Sequence, residues 1–502
     1  MSTVNSEGSA NPMSPQNPQE ASVVEGTAKQ LLIGGTWRPA SGDRTYEVED
    51  PATGKNLCSV ADATAEDGLA ALAAADQAQA GWAQVAPRER GEILRRAFEL
   101  IHQRHEDLSL LMTLEMGKPL VESRAEITYA AEFFRWFAEE AVRIDGDYAV
   151  SPSGKGRFLV MRQPVGPAVM ITPWNFPMAM GTRKIGPAIA AGCTSVIKPA
   201  HQTPLSMLAL AGILQEAGLP DGVLNVVTAR GAGSVMEPVI RDGRARKLTF
   251  TGSTEVGRKL IEQSAEQVLK TSMELGGNAP FLVFADADLD AAVDGAMLAK
   301  MRNIGEACTA ANRFYVHADV ADEFSRRMAE RMGALRIGRG VTDDVEVGPL
   351  IDGDQRDKVT ELVQDAVGRG AEVVLGGTAS DGDGYFYPPT VLKNVPTDAR
   401  LTREEIFGPV APITTFTDEQ AVVDEANDTE FGLVSYVYTR DLQRAVRVSE
   451  QLHAGMVGLN QGVVSNAAAP FGGVKHSGLG REGGKVGIEE FLETKYVAIG
   501  GV

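Results

Sequence analysis

Residues 247–257 read KLTFTGSTEVG, a β-rich run, then a glycine turn, then the opening of a helix. A strand that ends in such a turn brings backbone N–H groups and a helix N-terminus to one point, and that is where a phosphate binds well. The spacing is not GxGxxG, and the Gly-Lys-Ser/Thr ending of a P-loop is absent. Three more short β-rich runs precede it, at Ala168–Thr172, Thr194–Lys198 and Gly222–Val227, separated by helical stretches punctuated with Gly or Pro. That alternation predicts βαβ units and a parallel sheet. Ligands of such sheets sit beyond the carboxyl ends of the strands. The segments to inspect are therefore Pro173–Asn175, Lys198–His201 and Gly252–Gly257.

Toward the N-terminus, LLIGGTWRPASG from Leu31 predicts a strand, a Gly-Gly turn and a second strand. Thr64 to Asp67 has the form of a capping box ahead of an Ala-rich helix. Apolar spacing predicts one helix over Arg88–Glu115, stopped by Gly117-Lys118-Pro119, and another over about Ala125–Ile144. These helices read as packing scaffold. Toward the C-terminus a second alternating region runs from Phe281–Phe284 to about Thr439, so two α/β domains are expected, joined near Glu274–Pro280. The tail, Leu492–Val502, alternates weakly and suits a strand added to a neighbour. Residues 1–29 are rich in Ser, Asn, Pro, Gln and Glu, with neither an apolar segment nor arginine, and read as a disordered leader without targeting features.

A chain of 502 residues calls for more than one hydrophobic core. Its formal net charge of −19 argues against nucleic acid or an anionic membrane surface as partner. The longest apolar run, near Leu205–Leu214, is too short to span a bilayer. Cys58, Cys193 and Cys308 are far apart and odd in number, which suits a reducing cytoplasm rather than a disulfide framework.

Four residues invite chemistry. Cys308, in MRNIGEACTAANRFYV, has small neighbours that would admit a substrate, although an isolated cysteine is more often a buried structural one. No His stands nearby, and the signatures of cysteine proteases are absent. Glu274, in KTSMELGGNAPFLVF, is an acid in an apolar run; burial would raise its pKa into the range of a general base, while a strand-end ion pair is an equal alternative. Asn175, in ITPWNFP, follows a predicted strand and has an amide to offer an oxyanion; beside Pro it reads equally as a turn residue. Lys198 ends a strand, within reach of ribose hydroxyls or a phosphate, or simply solvated. No cluster has metal-ligand spacing, so no metal is expected.

Taken together, PWNFP, KPA-x-QTP, FTGSTEVG, MELGGNAP, GEAC, EEIFGPV and PFGGVKHSGLGREGG resemble, in order and spacing, the aldehyde dehydrogenase superfamily over about residues 31–502. The resemblance implies an α/β fold, with a Rossmann-type parallel-sheet cofactor domain (residues 30–141 and 165–276), an α/β catalytic domain (277–476) and a small oligomerisation arm with terminal strand (142–164 and 477–502). It implies Cys308 as nucleophile, Glu274 as general base and Asn175 as oxyanion donor together with the Cys308 N–H. The cofactor, NAD or NADP, would be held by Lys198 at the adenosine ribose, Gly252 and Ser253 at the pyrophosphate, and Glu405 and Phe407 at the nicotinamide half, with Trp174 and Lys184 as neighbours. His201 stands where a Glu in other members favours NAD; lacking negative charge, it leans the expectation toward NADP. Glu306 replaces the Gln common two residues before the nucleophile, and if ionised would oppose thiolate formation.

Within the superfamily the chain is most similar to the succinate-semialdehyde dehydrogenases. Arg183, Arg302 and Ser465 match that group's anchor for the substrate carboxylate, with paired structural arginines as the alternative. Ala310 stands where some members carry a second cysteine, so no redox switch is expected. The implied partners are a small aldehyde and further copies of the chain, as a homodimer or homotetramer. Oxidation of glutarate semialdehyde or an uncharged aldehyde is the near alternative; a non-redox thioesterase or esterase, or a non-enzymatic member, is the remote one.

Overall fold

The computed structural model describes residues 17–500. Residues 1–16 of the expected leader and the last two residues of the tail lie outside the described residues. Among the described residues the strands form an eight-stranded, a seven-stranded, a three-stranded and a two-stranded sheet.

All four runs around KLTFTGSTEVG are strands, at Ala168–Ile171, Ser195–Lys198, Leu224–Val226 and Lys247–Thr251, and they lie in one parallel sheet with Lys270–Glu274. They are buried throughout, as expected of strands covered by helices on both faces. Their register matters for function. Phe250 pairs with Ile171, Ile171 with Lys198, and Thr251 with Glu274. Thr172, Lys198, Thr251 and Glu274 therefore reach the same edge of the sheet. Leu31–Ile33 and Thr36–Arg38 extend this sheet as an antiparallel hairpin whose turn, Gly34-Gly35, has positive φ at both positions.

The second sheet runs from Ala279–Val283 to Met456–Leu459, one strand beyond the predicted limit at Thr439. Glu274 ends the last long strand of the first sheet and Ala279 begins the second sheet, so the expected junction falls between the two. Ser477 ties it together, donating from Oγ to the Gly276 carbonyl and accepting from the Gly432 N–H.

Three expectations need correction. Asn17 caps a helix over Pro18–Glu25, in the stretch read as disordered leader. Asn17 accepts from the N–H groups of Gln19 and Glu20, Val24 is buried, and Glu20 pairs with Arg339 at 2.9 Å. An Asn cap, Pro at the first turn and one apolar anchor outweigh a polar composition. The single helix expected over Arg88–Glu115 is two, Pro87–Gln103 and His105–Met116, broken at Arg104 with φ −106° and ψ 18°. Helical spacing continues across the break, so it left no mark in the apolar pattern. The first segment buries one face, whereas residues 108–116 are buried all round. Finally, the tail does not wait for a neighbour. Leu492–Ile499 pairs antiparallel with Arg157–Pro164, which pairs with Asp147–Val150. The capping box at Thr64–Asp67 forms as expected.

Candidate active site

A cavity of about 220 Å³ opens between the two large sheets at the carboxyl ends of the parallel strands. Cys308, Glu274, Asn175, Trp174, Gly252, Ser253, Glu405, Phe407, Arg183, Arg302 and Ser465 all line it. These residues come from stretches more than two hundred positions apart, and the strand register gathers them.

Cys308 is partly exposed to this cavity, while Cys58 and Cys193 are buried elsewhere. Its loop follows a tight turn in which Asn303, Ile304 and Gly305 all take positive φ, 54°, 61° and 77°. That conformation is unfavourable for a β-branched Ile, and packing must hold it. A Cβ on Gly305 would lie 2.2 Å from the Gly408 carbonyl oxygen, so only glycine fits. Asn303 Nδ2 donates to the carbonyls of Asn175 and Glu306, at 3.0 and 2.8 Å. Asn175 Nδ2 donates to the same Glu306 carbonyl at 2.9 Å. An amide nitrogen has two hydrogens, so one remains for the cavity. Lys118 fixes the Asn175 loop from behind, donating to the Asn175 carbonyl at 2.7 Å.

Burial and neighbouring charges shift Cys308 and Glu274 toward their neutral forms. Burial pushes the Cys308 thiol up to about 12, only partly opposed by Arg183 and Arg302. Burial, then the negative charge of Glu482, holds the Glu274 carboxyl well above its usual range despite Arg183 and Lys184. Glu274 is 3% exposed and, among the described residues, neither carboxyl oxygen has a hydrogen-bond partner. Such a group is available to a substrate or a water. Glu306 is fully buried, and burial likewise raises it well above the normal carboxyl range. Its Oε1 accepts from the Ile351 N–H, and the upward shift weakens the opposition that an ionised carboxylate would offer to the thiolate.

The cofactor-side residues divide. Ser253 caps the helix Thr254–Ala265, and Gly252 donates to the Glu274 carbonyl at 3.0 Å. The helix N-terminus therefore faces the cavity beside Thr251, whose buried hydroxyl has no partner. Glu405 accepts from the Gly277 N–H at 3.1 Å, and burial raises it to about 7. Phe407, at φ 56°, stands edge-on to Trp174 with centroids 5.3 Å apart, and Gln355 holds its carbonyl at 2.7 Å. Lys198 and His201 do not line this cavity. Lys198 is 3% exposed and, among the described residues, sits in no salt bridge; burial lowers it to about 8. A buried lysine without a counter-ion suits polar or anionic ligand groups. His201 borders an adjoining cleft with Arg230, Asp352 and Glu47. Burial, then Lys198 and Arg230, lower its pKa, which keeps the ring neutral near pH 7.

The arginines expected at the substrate carboxylate also divide. Arg183 is paired with Glu482, which pairs with Lys184 as well; all three are buried. Burial alone would weaken the Arg183 charge, but Glu482 and other neighbours more than offset it. The paired structural alternative thus describes much of Arg183. Arg302 is different. Among the described residues it sits in no salt bridge, and it donates to Ser465 Oγ at 3.2 Å over the ring of Phe176. Among the cavity residues that the sequence did not single out, Tyr129, Gln355 and Lys358 stand in no recognisable motif, whereas Phe471 lies in PFGGVKHSGLGREGG.

The aldehyde dehydrogenase family model matches residues 37–497. The chain belongs to the aldehyde dehydrogenase family. Among family members it is 59% identical to a succinate-semialdehyde dehydrogenase of Paenarthrobacter nicotinovorans, over 88% of this chain and 98% of that one. It is 50% identical to a glutarate-semialdehyde dehydrogenase of Pseudomonas aeruginosa, over 94% and 98%. A crystal structure of an Escherichia coli NADP-dependent enzyme superimposes with a TM-score of 0.93 at 51% identity, covering 94% of this chain and 98% of that one. The expected aldehyde dehydrogenase fold is the one found.

Proposed function

We propose that this chain oxidises succinate semialdehyde to succinate with NADP or NAD, through a thioester on Cys308. The observation that carries the reading is the convergence of Cys308, Glu274 and Asn175 on one cavity that Arg302 also lines, in no salt bridge among the described residues and bonded to Ser465. The high identity to a succinate-semialdehyde dehydrogenase supports the same substrate.

The residues of the cavity and of the neighbouring strand ends suit a dinucleotide. Gly252, Ser253 and the helix they open would hold its pyrophosphate, Lys198 its adenosine ribose, and Glu405 and Phe407 its nicotinamide end. When bound, the nicotinamide accepts the two electrons and one hydrogen that the aldehyde carbon gives up. The protein's own groups do the rest. The Cys308 thiol passes its proton to solvent and its sulfur bonds to the aldehyde carbon, while the carbonyl π pair moves onto the oxygen, where the free Asn175 N–H meets the developing charge. After oxidation Glu274 takes a proton from water, the water oxygen bonds to the acyl carbon, and the carbon–sulfur bond breaks.

Arg302 presents a planar fork to the far carboxylate and Ser465 adds a donor. We place the carboxylate there rather than chiefly on Arg183, because Glu482 already meets the Arg183 charge. The NADP leaning rests on His201, which carries no negative charge, and on Arg230 in the cleft, although Glu47, Glu49, Glu115, Asp352 and Asp354 also line it. A panel of aldehydes with each cofactor tests the reading. Succinate semialdehyde should outrun butanal and glutarate semialdehyde, NADP should be accepted, and Arg302→Ala should lower kcat/KM on succinate semialdehyde by about ten- to a hundredfold while sparing butanal. Preference for butanal, or equal losses on both, rejects the substrate; strong preference for NAD rejects the NADP leaning.

We also propose a homodimer or a dimer of dimers in a reducing cytoplasm. The three-stranded arm leaves the strand Asp147–Val150 at its edge with Tyr148 and Val150 exposed, a surface suited to a second copy. Light scattering should return a multiple of the chain mass; a monomer contradicts the assembly.

A further inference from the structure

The wall that carries Arg302 holds one donor that no motif assigns. Tyr129 lies in the helix Leu120–Glu140 and lines the central cavity. Its hydroxyl is buried and, among the described residues, has no hydrogen-bond partner. The ring is not free to swing toward one. Phe133, one turn further along, meets it edge-to-face at 4.9 Å, and the Arg302 guanidinium lies 5.8 Å from its centroid. An orphaned hydroxyl in a tightly held ring is costly unless a ligand supplies the acceptor.

Its neighbours indicate which ligand. Arg183 Nη2, likewise buried and unpartnered, lines the same cavity, and Arg302 and Ser465 complete a wall of donors. Phe176, Met180 and Phe471 fill the remaining surface with apolar groups. A pocket that gathers these donors in one wall suits an acceptor-only group, and a carboxylate is one. Tyr129 and Ser465 also line an outer cleft with Arg135 and Trp136, so the pair stands where the cavity meets the surface. That position suits the end of the substrate farthest from Cys308.

We propose that Tyr129 is a specificity-determining residue whose phenol donates a hydrogen bond to the substrate's far carboxylate, beside Arg302 and Ser465. The inference rests on the reading of the substrate as a semialdehyde. Tyr129→Phe removes the hydroxyl and keeps the ring, so butanal turnover serves as the control for folding. In Tyr129→Phe, kcat/KM on succinate semialdehyde should fall about tenfold or more, chiefly through KM, and butanal should change little. Calorimetry with succinate, the product, should show a comparable loss of affinity. If the unaltered chain prefers succinate semialdehyde but Tyr129→Phe leaves its kcat/KM and succinate binding unchanged, or lowers both aldehydes equally, the role of Tyr129 is overturned alone. If the unaltered chain shows no preference for succinate semialdehyde over butanal, the substrate reading falls and takes this role with it.

Discussion

Cys308→Ala should abolish dehydrogenase turnover, by at least about 10⁴-fold, the scale seen when a covalent nucleophile is removed. Among the described residues no second cysteine can take over, because Cys58 and Cys193 are buried away from the cavity, Cys193 with its thiol against the Phe491 carbonyl. The loss should be confined to chemistry. The groups assigned to the cofactor stand on the strand ends and on the Glu405–Phe407 loop, and the tight turn before Cys308 is held by Asn303 and Gly305, not by the thiol. NADP should therefore bind the variant with near-normal affinity in a fluorescence titration. Full activity in Cys308→Ala would refute the thioester route; lost cofactor affinity would mean that the thiol also supports the fold of the site.

Glu274→Gln should separate the two half-reactions. Glu274 is buried with both oxygens unpartnered, so the amide fits the same space without displacing an existing bond. Thioester formation should largely survive, and deacylation should fall by about 10²-fold or more, the usual contribution of a general base. A burst of reduced cofactor should precede a slow steady state. The pH dependence has a definite sign. Burial and Glu482 raise the Glu274 pKa, so the base form grows as pH rises through that raised value, and wild-type deacylation should rise with it. Below it the carboxyl is protonated and deacylation slows. Glu274→Gln should lack this rise. A variant with no burst and a wild-type pH profile would remove Glu274 from the deacylation step.

The parallel sheet was legible because its strands are short β-rich runs punctuated by Gly or Pro, and KLTFTGSTEVG shows both its strand and its turn within eleven residues. The site was legible only where motifs marked it. Cys308, Glu274 and Asn175 each read ambiguously alone, and only the shared order of motifs joined them. Tyr129 and Gln355 gave no signal. Tyr129 occupies an ordinary position on an amphipathic helix, and its cavity-facing role depends on a wall contributed by Arg302 and Ser465 far along the chain. The charge state of Arg183 was hidden for the same reason, since Glu482 reaches it only in three dimensions. The break at Arg104 was hidden because helical periodicity continues through it. The helix after Asn17 had its cap and proline in plain view, but the surrounding composition outweighed them in the reading.

The most direct measurement is the intact mass of Glu274→Gln after mixing with succinate semialdehyde and NADP, followed by peptide mapping. A thioester on Cys308 predicts a mass gain of one succinyl group, located on the peptide that carries Cys308, appearing with the burst and released by hydroxylamine. Reduced cofactor formed without that adduct, or an adduct on another residue, would contradict the account.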